Sequence, residues 1–146
     1  MFIWSIGGKI GMIGSIGDWK KDPPLYERYF LGGGDSVRGF PYRSIGPTDR
    51  NKDNYGGDFM YVLTSEVSHP IWDFIRGAVF VDVGNATHSR FGPFSSPNIG
   101  IGYGLRIKLP VVNAPIRLDL AYPLLNNQRG VANRIRFHFS MGISMF

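Results

Sequence analysis

The sequence predicts an all-β chain: an antiparallel meander of about six strands that crosses a membrane as part of a β-barrel. Three observations carry this expectation. Short alternating runs broken by Gly, Pro, Asn and Asp fill the chain, and no capped amphipathic helix is visible. The strand candidates run about 9–13 residues, which fits a tilted membrane span and exceeds the usual globular strand. The connections alternate long, short, long, short, long, the pattern of long external loops and short periplasmic turns.

Phe2 to Ile16 is a loosely patterned, Gly-rich strand candidate. Residues 18–57 form a long connection rich in Gly, Pro, Asp and Asn, a length that usually marks a functional or a disordered segment. In Phe59 to Ser68, Phe59, Tyr61, Leu63 and Val67 share one face and Met60, Val62, Thr64, Glu66 and Ser68 the other. In Arg76 to Gly84, Val79, Val81 and Val83 oppose Ala78, Phe80, Asp82 and Gly84. The cleanest alternation sets Ile99, Ile101, Tyr103, Leu105, Ile107 and Leu109 against Gly100, Gly102, Gly104, Arg106 and Lys108. Then Ile116, Leu118, Leu120 and Tyr122 oppose Arg117, Asp119 and Ala121. The last strand sets Ile135, Phe137, Phe139, Met141, Ile143 and Met145 against Arg134, Arg136, His138, Ser140, Gly142 and Ser144. The segments 18–57, 85–97 and 124–133 are therefore expected outside, with Ile101, Tyr103, Leu105, Leu118, Leu120, Phe137 and Phe139 facing lipid. The competing reading is a soluble β-sandwich whose charges form the solvated face.

Composition narrows the function classes. The mean hydropathy is near zero, which a barrel apolar at every second residue also gives. The 146 residues include no cysteine, so disulfides and thiolate metal sites are excluded. The net charge of +5 comes from scattered basic residues without a recognition helix, so no nucleic-acid partner is expected. His69, His88 and His138 lack metal-ligand spacing, and neither a metal nor a cofactor is expected. The glycines Gly32, Gly33, Gly34 and Gly39 suggest positive φ or close backbone approach. A phosphate-binding loop does not fit, because no Gly-Lys-Ser/Thr follows and no helix begins. Asp82 with His138 evokes a protease pair, but no nucleophile–base arrangement supports an enzyme. Arg106, Lys108, Arg117, Arg134 and Arg136 line the polar faces of the last three strands. They could attract anionic lipid or substrate segments, or simply form a wet lumen.

Within the long connection stand Leu31-Gly32-Gly33-Gly34-Asp35-Ser36-Val37-Arg38-Gly39-Phe40 and Ser44-Ile45-Gly46-Pro47. Tyr55-Gly56-Gly57, Phe80-Val81-Asp82-Val83-Gly84-Asn85, Arg117 to Leu124 and Phe139 to Phe146 follow in order. Together these resemble the barrel domain of the BamA-type assembly-factor family (bacterial surface antigen), from its sixth external loop with the Val-Arg-Gly-Phe signature to its terminal strand.

The resemblance implies the C-terminal part of a 16-stranded barrel in a bacterial outer membrane, preceded by periplasmic POTRA domains. Residues 1–146 are then one partial barrel domain; neither a signal peptide nor POTRA domains can be read in it. Six strands cannot close a membrane barrel, so a piece of a longer protein is expected. The implied function is insertion and folding of outer-membrane proteins. Val37, Arg38, Gly39 and Phe40 would fold back into the lumen, with Glu66 and Asp82 as partners of the arginine. A weak seam would lie at the last strand, at Phe139, Met141, Gly142, Ile143, Met145 and Phe146, where a client strand pairs by β-augmentation. Expected partners are outer-membrane lipid, unfolded β-barrel clients and accessory assembly subunits. Alternatives are a polypeptide-secretion pore or the anchor of a fused passenger in the same family, or a passive porin-like barrel, which would not need the arginine loop.

Overall fold

The computed structural model of the chain describes residues 1–14, 23–88, 94–111 and 115–141. Six strands form a single antiparallel sheet in sequence order: β1 (Ile3–Met12), β2 (Phe59–Trp72), β3 (Ile75–Thr87), β4 (Asn98–Ile107), β5 (Ile116–Leu125) and β6 (Arg136–Met141). There is no helix among the described residues. The all-β meander expected from the alternation is what forms.

The register sorts the two faces. One cross-strand row reads Trp4, Val67, Val79, Tyr103, Leu120, Phe137. All six are exposed, Leu120 at 55% and Phe137 at 61%. One residue along, the row reads Ser5, Glu66, Phe80, Gly102, Ala121, Arg136 and turns the other way. The expected lipid-facing set lies on the outer side: Ile101, Tyr103, Leu120, Phe137 and Phe139 are exposed and Leu105 and Leu118 half-buried.

Several strand ends differ from the expectation. β1 ends at Met12 rather than Ile16. β2 continues past Ser68 to Trp72, because the register shifts between Pro70 and Trp72 and a bulge is one of the few places a strand accepts proline. β3 runs on to Thr87, and β5 to Leu125.

The hydrophobic core is not sandwiched between sheets. Leu31, Val37, Phe40 and Ile45 of the long connection pack on Val62 and Ala86 of the lumen face. The connection is held by bridges Tyr29–Gly57, Leu31–Ile45 and Thr48–Asn54. It therefore folds back over the inner face of the sheet instead of projecting outward.

Candidate functional site: the loop tip on the lumen wall

Backbone conformation shapes the loop tip. Gly32, Gly33 and Gly39 have φ of 107°, 104° and 95°, values that strain any residue with a Cβ. Gly39 is doubly constrained, since a Cβ there would meet the Tyr122–Pro123 backbone of β5 at about 3 Å. Gly34 has neither a positive φ nor a close backbone approach, since a Cβ there would meet only the His138 side chain at 3.5 Å, so the expectation fails for that one glycine of the four.

The tip delivers Arg38 into the wall, where it is 2% exposed. Its Nε donates to Asp82 Oδ2 at 2.6 Å and its Nη2 to Asp82 Oδ1 at 2.8 Å. This is the two-pronged arginine–carboxylate geometry. The Arg38 backbone N–H donates to the same Asp82 Oδ2 at 3.1 Å. Nη1 reaches Glu66 Oε2 at 3.1 Å and Asp119 Oδ2 at 3.5 Å. The guanidinium also lies over the Phe80 ring, 3.4 Å from its centroid, a favourable cation–π placement. Burial disfavours the charge, but the Asp82 hydrogen bond and the fields of Asp82, Asp119 and Glu66 outweigh it and push the pKa of Arg38 up.

The acids are not served by Arg38 alone. Arg106 Nη2 donates to Glu66 Oε2 at 2.7 Å and Nε to Glu66 Oε1 at 3.2 Å. Arg106 Nη1 meets Asp119 Oδ1 at 2.5 Å, and Arg117 Nη2 lies 3.9 Å from Asp119 Oδ2. Three arginines thus face three carboxylates. Buried charges persist only when paired and hydrogen-bonded, and each of the three carboxylates accepts hydrogen bonds from at least one arginine.

Glu66 and Asp82 are brought to Arg38, as are the flanking motif residues: Val37 and Phe40 are buried in the core. Asp119 was not anticipated as a partner, although it lies on the polar face of its strand. It sits two strands beyond Asp82, and the strand between presents only glycines there. A Cβ on Gly100 would coincide with the Arg38 carbonyl oxygen, one on Gly102 would strike Phe80, and one on Gly104 would strike Asp119. That glycine stripe was the available signal. Arg106, expected either to attract lipid or substrate or simply to line a wet lumen, is a partner of the acids instead.

β6 joins the site from its own polar face. The Gly39 N–H donates to His138 Nε2 at 3.0 Å, and Arg136 Nη1 donates to the Gly39 carbonyl at 2.9 Å. Phe139 and Met141 are exposed on the opposite face of β6. The other expected seam residues, Gly142, Ile143, Met145 and Phe146, lie outside the described residues. Nearer the outer rim, buried Asn98 receives the Asn127 N–H at 2.9 Å and donates to Asn85 at 3.4 Å.

This combination of an amphipathic meander and an inward-folded arginine loop has relatives. The chain is 31% identical over 129 residues to outer membrane protein assembly factor BamA of Nitratidesulfovibrio vulgaris, covering 83% of this chain and 16% of that protein. It is 29% identical to the chloroplastic outer envelope protein 80 of Arabidopsis thaliana, covering 81% of this chain and 15% of the relative. A SAM50-like protein of Schizosaccharomyces pombe is 26% identical over 95% of this chain and 31% of its own length. The chain thus spans less than a third of each. The crystal structure of BamA from Haemophilus ducreyi lacking POTRA domains 1–3 superposes with a TM-score of 0.77 at 23% identity, covering 97% of this chain and 31% of that one. The strands are therefore part of an outer-membrane β-barrel. The Omp85 superfamily domain matches residues 1–145, and the chain belongs to that superfamily.

Proposed function

We propose that these six strands are the C-terminal part of the 16-stranded barrel of an outer-membrane protein assembly factor. The observation that carries the reading is the seating of Val37-Arg38-Gly39-Phe40 against the lumen wall. A passive porin keeps its lumen open to solutes. Here the inner face is filled by a loop with its own buried apolar residues and a paired arginine, which suits a protein that handles chains rather than solutes. The bacterial relative is by name an outer membrane protein assembly factor, which supports the same reading. The action is physical: a client strand pairs with the exposed edge of β6 by β-augmentation, while Arg38, Glu66 and Asp82 hold the loop inside. Clients are unfolded β-barrel proteins, in the company of accessory subunits and outer-membrane lipid.

The test uses the full-length protein in its own membrane. Depletion should leave other barrels unfolded, read as loss of their heat-modifiable mobility. Cysteine at Phe139 or Met141 should crosslink to cysteine in a client's terminal strand during assembly. Normal barrel assembly after depletion, with one secreted polypeptide lost instead, would favour a secretion pore. Active assembly without any crosslink would remove the seam.

A further inference from the structure

We infer that β6 is latched to the loop tip through the Gly39 backbone, with His138 and Arg136 as the positioning residues, so that loosening β6 and releasing the loop are one coupled event. The inference deepens the seam reading and rests on it for its biological meaning; its geometry does not.

Gly39 is gripped from both sides. Its N–H is taken by His138 Nε2 and its carbonyl by Arg136 Nη1. Both side chains project from the polar face of β6, two residues apart, while Phe137 between them and Phe139 beyond face outward. β6 pairs in register with β5 through Asp119–His138 and Ala121–Arg136. The loop tip therefore spans the β5–β6 pair: Gly39 abuts β5 at Tyr122 and is hydrogen-bonded to β6. A β6 that swings away from β5 withdraws both partners from Gly39. A loop that leaves takes from β6 the two hydrogen bonds that tie its inner side to the tip. Equilibrium linkage makes such an effect reciprocal.

The acceptor role of His138 fixes what its replacement must do. His138→Gln can place an oxygen near the former Nε2, whereas His138→Phe keeps a ring and removes the acceptor. Arg136→Met removes the second grip independently. Gly34→Cys is a suitable probe, since a Cβ there lies 3.5 Å from the His138 Cβ, an ordinary contact.

The measurement takes the full-length protein in membranes, in a background without other reactive cysteines, with folding checked by heat-modifiable mobility. No client is added. Maleimide labelling of the Gly34→Cys thiol should be roughly five-fold faster when His138→Phe or Arg136→Met is added, the scale of one net hydrogen bond. It should stay near the unsubstituted rate with His138→Gln. The reciprocal arm uses Gly39→Ala, which changes no residue of β6. Amide hydrogen exchange over 136–141 should accelerate once the loop is displaced. Unchanged labelling in folded His138→Phe and Arg136→Met overturns the latch. So does a loop freed by Gly39→Ala above a β6 whose exchange is unaltered. Because neither arm involves a client, a failed assembly assay would reject the proposed function and leave this coupling standing.

Discussion

The two faces of this sheet are one residue apart and obey opposite rules. Outward, the row from Trp4 to Phe137 is large, apolar and exposed. Inward, the next row and its neighbours carry Glu66, Asp82, Asp119 and Arg106, separated by Gly100, Gly102 and Gly104. In a soluble sheet the charged face is the wet one. Here the charges are the buried groups, with Asp82 at 0% exposure, and the apolar side chains are the open ones. A slip of one residue would exchange the two faces, so each pins the register of the other.

Substitutions can break this contrast at different depths. The largest effect is expected from Arg38→Ala, which leaves three carboxylates facing two arginines. Breaking a buried pair costs about 3–5 kcal/mol, and proteolysis of the loop in intact membranes should reveal its release. Arg38→Lys should recover only part, because an ammonium cannot fork across Asp82 while also reaching Glu66. On the outer face, Leu120→Lys should cost about 2–4 kcal/mol if it lies near the midplane, measured by denaturant unfolding in lipid. Ser140→Lys, facing inward on β6, should cost much less; equal penalties would contradict the assignment of faces. Gly100→Ala places a methyl where the Arg38 carbonyl lies. Overpacking of this kind costs about 1–3 kcal/mol, and here it should appear as loop protease sensitivity with the barrel intact. The smallest effect is expected for Trp4→Phe, which deletes the 3.0 Å bond from Nε1 to Ser65 on the outer face. Hydrogen bonds within membranes average about 0.6 kcal/mol, so its unfolding midpoint should barely move.

The fold was legible because alternation is a local property. Ile99 to Leu109 announces its strand and both its faces from eleven neighbouring letters. Strand ends were less legible, because they depend on partners: Pro70 stops a strand by propensity but sits in β2 at a register shift. In the site, Arg38, Glu66 and Asp82 could be read from the motif and strand parity. Asp119 could not be paired with them by adjacency, since it reaches Arg38 only across an intervening strand stripped of side chains. The glycines of β4 were visible, but their meaning depends on what passes over them. The roles of His138 and Arg136 were hidden for a similar reason. They bind the backbone of Gly39, and a backbone leaves no residue type to recognise.

The sequence distances spanned by the loop also bear on how the molecule comes together. Each strand of the meander pairs with the next along the chain, yet Gly39 meets His138 across 99 residues and Arg38 meets Asp119 across 81. Contacts of such separation are entropically slow to form. Arg38 takes its carboxylates from β2, β3 and β5, whereas Gly39 gains His138 and Arg136 only with β6 in place. The grip on Gly39 is thus the part of the loop's anchorage that depends on the final strand, and of its contacts the one with the longest chain to close.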